Sequence, residues 1–78
     1  MNMIKELDPV ALTCDLPEHA LTRGDVGTAV LVHGQDDAFE VEFVDYDGQT
    51  IALLTLERHQ VRPLQSGDIP HVRELASA

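Results

Sequence analysis

Cys14, Asp15, Glu18 and His19 share one short stretch and are the best candidates in this sequence for metal or thiol chemistry. Thiolate, carboxylate and imidazole are all zinc ligands. The spacing Cys-x4-His matches no strong zinc pattern, however, and a second pair of ligands is missing. An ordinary polar loop is the expectation, with Cys14 a small half-buried apolar residue and His19 fixing the loop by hydrogen bonds. His33, His59 and His71 are isolated from one another, and Asp68 three residues before His71 reads as a surface pair. A catalytic centre needs a nucleophile with its base, paired carboxylates in a pocket, or chelating ligands. No Ser-His-Asp arrangement, P-loop or Gly-x-Gly-x-x-Gly occurs. A domain this small also has little room for the ~300 Å³ that substrate pockets usually occupy. The residues predict a non-enzymatic protein with no catalytic residue, no cofactor and no metal.

Charge is the more informative chemistry. Fourteen acids stand against five bases, for a net charge of −9. From Gly24 to Glu57 there are eight acids and no Lys or Arg; the bases Lys5, Arg23, Arg58, Arg62 and Arg73 lie outside. Nucleic-acid affinity comes largely from cations that displace condensed counterions, so this segment argues against direct nucleic-acid binding. One hairpin concentrates the feature: Glu40 and Glu42 on a strand, with Asp36, Asp37, Asp45 and Asp47 at its two ends. Val44 and Tyr46 supply an apolar anchor beside them. An apolar centre with a charged rim is the layout of a protein-binding patch. Asp36, Asp37, Glu40, Glu42, Val44, Asp45, Tyr46 and Asp47 are therefore the predicted partner-binding residues. The competing reading is a solvated acidic face that keeps a small protein soluble, with the long loop or the tail covering the apolar residues.

The chain length of 78 residues fits one domain. So small a domain buries only roughly 60–65% of the surface its unfolded chain exposes, which makes a partner or a homo-oligomer the expectation. An apolar content of 44% argues against disorder. No apolar run approaches the ~20 residues of a transmembrane helix, no signal peptide is recognisable, and a lone cysteine excludes an internal disulfide. A soluble cytoplasmic protein with no membrane contact is expected.

Turns and alternation set the elements. Val10–Thr13 reads as a first strand, followed by a polar excursion from Cys14 to Asp25. Val26–His33 is a second strand, in which Gly27 marks a bulge or a close backbone approach. Ala38–Tyr46 carries Phe39, Val41 and Phe43 alternating with Glu40 and Glu42, the period of a half-buried strand. The register predicts Phe39, Val41 and Phe43 packed on Val26, Val30 and Val32. Asp47-Gly48 makes a tight turn with Gly48 at positive φ. Gln49–Leu56 is a fourth strand, Glu57–Gln60 one helical turn, and Val61–Leu64 a short last strand. Residues 1–64 form the domain; residues 65–78 are a weak helix or a disordered tail. A short strand, a long loop, a three-stranded meander, one helical turn and a short strand predict an all-β, SH3-like antiparallel barrel of about five strands.

Five short motifs then carry a resemblance. Ile4-Lys5-Glu6-Leu7-Asp8, Leu16-Pro17-Glu18-His19, Gly24-Asp25-Val26-Gly27-Thr28, Tyr46-Asp47-Gly48 and Gln60-Val61-Arg62-Pro63 together resemble a small bacterial family catalogued as domain of unknown function 4926. The resemblance runs from Lys5 to Pro63. It implies a single small barrel, and it implies an antitoxin or immunity role because some members are encoded beside toxins. Combined with the charge, the expected function is a protein-binding module that neutralises a basic, toxin-like partner. The alternative is an accessory or structural SH3-like subunit of a larger enzyme complex.

Overall fold

The computed structural model describes residues 3–75. Five strands, β1 (Pro9–Leu12), β2 (Val26–His33), β3 (Ala38–Val44), β4 (Thr50–Glu57) and β5 (Val61–Pro63), are accompanied by two 3-10 turns, Pro17–His19 and Arg58–Gln60. All pairings are antiparallel, in the order β4-β3-β2-β1-β5. The predicted order of elements is thus the observed one, with strand ends displaced by one or two residues.

Alternation explains why the sheet has one dry face. Phe39, Val41 and Phe43 on β3 are buried, while Glu40 and Glu42 between them are not. Val10 and Leu12 from β1, Ala29 from β2, Leu56 from β4 and Val61 from β5 join the same cluster. The two edge strands reach one core with no second layer over it. A single sheet achieves that only by curling on itself, and the fold is a small barrel-like one. Leu16, Leu21 and Ile4 from the connecting segments close the core.

The register of β2 departs from expectation. Val26 is exposed and Val30 only half-buried; Gly27 and Ala29 take the core positions instead. Ala29 lies opposite Val41 and Leu31 opposite Glu40, so Val30 is an extra residue, a β-bulge. One extra residue reverses the facing of everything after it. Beyond the bulge Val32 therefore packs against the core, opposite Phe39, as expected, while Leu31 and His33 face outward. The bulge sits at Val30 and the close approach at Gly27. A Cβ at Gly27 would lie 2.8 Å from the Glu42 carbonyl oxygen and 2.9 Å from Phe43 Cδ2. Gly48 has φ +82°, as the tight turn requires.

Of the two alternatives for the tail, the weak helix does not form among the described residues. Residues 64–75 contain no helix. Asp68 accepts from Arg62 Nη1 at 2.9 Å and Nη2 at 3.0 Å, and from the Gln65 backbone N–H at 2.8 Å. With its carboxylate committed to this turn, Asp68 cannot cap a helix, and Val72 has nothing to dock against. The part of the expectation that falls on residues 76–78 lies outside the described residues.

Candidate functional site

The central strand of the acidic hairpin sets Glu40 and Glu42 on the outer face, and neighbouring strands hold both carboxylates. Thr55 Oγ1 donates to Glu40 Oε2 at 2.6 Å, and His33 Nε2 lies 2.9 Å from the same oxygen. Thr50 Oγ1 donates to Glu42 Oε2 at 2.7 Å. The Thr55 hydroxyl first, and His33 second, hold the Glu40 carboxyl below its ordinary value. Both carboxylates are thus fixed in orientation.

The cross-strand neighbours are not acids. Glu40 faces Leu31 and Thr55; Glu42 faces Thr28 and Leu53. No carboxylates oppose one another directly, so repulsion within the sheet is smaller than six acids on one hairpin suggest. β3 also separates its ends by about 20 Å, more than twice a Debye length at physiological salt. Asp36 and Asp37 at one end and Asp45 and Asp47 at the other are separate groups. Asp45 is partly structural: its Oδ1 accepts from the Gln49 backbone N–H at 2.9 Å and shapes the turn.

Apolar residues do accompany the carboxylates. Register on β4 places Leu53 and Thr55 outward and Ala52, Leu54 and Leu56 inward. Leu31, Leu53 and Val44 are exposed, and Tyr46 is fully so. Among the described residues, neither the long loop nor the tail covers them. Leu31, Leu53 and His33 were not among the expected partner-binding residues. The expected register already turns Leu31 and His33 outward; what local sequence does not reveal is the strand pairing that sets both against Glu40.

The Cys14–Asp25 loop is a packing element. Cys14 is half-buried against the core, as expected. Leu16 and Leu21 are buried and bridge one another, and the 3-10 turn Pro17–His19 lies between them. His19 contributes its backbone N–H to Leu16 O rather than a side-chain tie. Asp15 Oδ1 accepts from the Arg23 backbone N–H at 2.8 Å, and Asp25 Oδ2 from that of Thr22 at 2.9 Å. Among the described residues, no group of three His, Cys, Asp or Glu could hold a metal ion. No helix among them is long and apolar enough to cross a membrane.

Asp25 also receives the tail. Arg73 Nε donates to Asp25 Oδ1 at 2.7 Å, Arg73 Nη2 to Asp25 Oδ2, and Nη2 again to the Ala20 carbonyl at 3.0 Å. Between the tail and the strand ends opens a cleft of about 690 Å³, with Val26, Val44, Tyr46 and Ile51 on one wall and Val72 and Leu75 on the other. The expectation of little pocket room overlooked this space, because the tail builds one of its walls outside the barrel.

Two carboxylates secure the tail, which gives its attachment a pH signature. The Arg62 guanidinium first, then the Gln65 N–H, hold Asp68 down to about 2, against 3.8 ordinarily. Hydrogen bonds from Arg73 first lower Asp25 too, with partial burial opposing and the Thr22 N–H assisting. A carboxyl whose folded value is depressed adds stability above its unfolded value and loses it as pH falls through the folded one. Amide-exchange protection at Gln65 should be constant above about pH 4 and disappear between about pH 4 and 2. Loss of protection already at about pH 6 would contradict these ties.

The family model described as Domain of unknown function (DUF4926) matches residues 6–63, three quarters of the chain. The chain belongs to this family. The DUF4926 match covers all five strands and the Asp25 loop, and it stops before Asp68 and Arg73. No curated protein and no solved structure matches the chain.

Proposed function

We propose that this DUF4926 protein is a non-enzymatic binding module of the antitoxin or immunity kind, and that its acidic face holds a basic protein partner. One observation carries the reading: Glu40 and Glu42 are pre-set outward by Thr50, Thr55 and His33, beside exposed Leu31, Leu53, Val44 and Tyr46. Carboxylates already fixed in place lose little freedom when a cation meets them. The base-free span from Gly24 to Glu57 gives this face one sign of field, which steers oppositely charged partners. Tyr46 suits the anchoring role, since tyrosine is enriched where interfaces concentrate their energy.

The sheet order and the 3-10 turn before β5 support an SH3-like assignment of the barrel. A soluble cytoplasmic protein is consistent with the lone, half-buried Cys14. The accessory-subunit reading draws support from β4, an eight-residue edge strand with no Lys, Arg or Pro to guard it. Capture from the producing cells with parent and Glu40→Lys/Glu42→Lys baits separates the two. A basic partner held by the parent and lost, by about tenfold or more, from the charge-reversed bait is the expected result. Equal recovery of a multi-subunit enzyme by both baits would favour the subunit reading.

A further inference from the structure

Residues 69–75 run beside the barrel with little to hold them. Ile69 and Val72 are almost fully exposed, and every residue from 69 to 75 is exposed. Among the described residues, none of the seven makes a backbone hydrogen bond to the sheet. Arg73 is the exception in kind: its guanidinium forks onto both Asp25 oxygens and reaches the Ala20 carbonyl. The receiving site is well prepared. The Thr22 N–H fixes the Asp25 carboxylate, and with Arg73 seated the Asp25 side chain is only 17% exposed.

We propose that the Asp25–Ala20 seat is an arginine receptor, and that an arginine of the basic partner displaces Arg73 and its strap to occupy it. This rests on the basic-partner reading above and names how that partner is recognised. The planar guanidinium matches a carboxylate with two parallel N–H···O bonds, whereas an ammonium offers only a point charge. Asp45 and Asp47 border the same cleft, so a partner arginine arrives in an anionic field. Val26, Val44 and Tyr46 offer apolar surface to the residues flanking it. Release breaks no backbone hydrogen bond to the sheet among the described residues, and the strap regains its freedom. Until then Arg73 competes at the effective concentration of a short tether, on the order of millimolar.

The test titrates the full chain with the peptide N-acetyl-Val-Arg-Leu-amide and its lysine counterpart, followed by backbone amide shifts. Arg73→Ala should bind the arginine peptide about tenfold or more tighter than the parent, with shifts centred on Thr22 and Asp25. The lysine peptide should bind markedly less, and Arg73→Ala/Asp25→Asn should bind neither. Arg73→Lys, which keeps the charge, should fall between parent and Arg73→Ala and guards against a folding defect in the double variant. Equal affinity of parent and Arg73→Ala overturns the receptor, as do shifts centred on Glu40 and Glu42. The second of these results would leave the acidic-face reading standing. Loss of the partner from the Glu40→Lys/Glu42→Lys bait, together with unchanged binding by Asp25→Asn, would likewise sink the receptor alone.

Discussion

Replacing Phe43 with alanine should destabilise the protein by roughly 3–5 kcal/mol, the usual cost of emptying a buried aromatic site. Phe43 is 2% exposed and lies over Gly27, with Ala52 opposite it on β4. The curled sheet carries all its core on one face, so no second layer can settle into the vacated volume. Small domains have only about 5–15 kcal/mol of total stability, and this loss removes a large part of it. Urea or thermal unfolding reads the effect directly. A variant that melts with the parent would contradict the register of β3.

Gly27→Ala adds a single carbon and is nonetheless expected to destabilise by about 1–3 kcal/mol, toward the upper end. The new Cβ would meet the Glu42 carbonyl oxygen and Val41 Cγ1, each at 2.8 Å, and Phe43 Cδ2 at 2.9 Å. One of those atoms belongs to the backbone of β3 and cannot rotate away. Relief requires β2 and β3 to separate where β1 also pairs, since Gly27 lies opposite Val10. Equilibrium unfolding checks this as well. An unchanged midpoint would mean that the strands approach less closely than described.

The contrast between β3 and β2 shows where the sequence was legible. In β3 the two faces differ in kind, Phe39, Val41 and Phe43 against Glu40 and Glu42, and alternation assigns them unambiguously. In β2 both faces are apolar: Val26, Val30 and Val32 compete with Gly27, Ala29 and Leu31. The larger valines look like the core set, yet Val41 and Phe43 fill the space above Gly27, and the bulge at Val30 changes the facing midway. Nothing local announces that bulge. The acidic face was legible as charge, but its division into separate groups followed from strand length and turn chemistry. The seat at Asp25 was not legible at all, because Arg73 lies 48 residues away and Asp25 reads locally as a turn residue. The helical alternative for the tail fails for a related reason: Asp68 caps a turn closed by Arg62, in competition with the helix it would otherwise begin.

The central claim is that a pre-set acidic face recruits a basic protein. Its most direct measurement is the association rate of the purified partner with the parent and with Glu40→Lys/Glu42→Lys as salt is raised. Steering charges are screened within about 8 Å at physiological ionic strength. The parent's rate should therefore fall by about tenfold or more between low and high salt, while the charge-reversed variant starts slow and changes little. A parent rate that is flat with salt, or a variant that associates like the parent, would contradict the account.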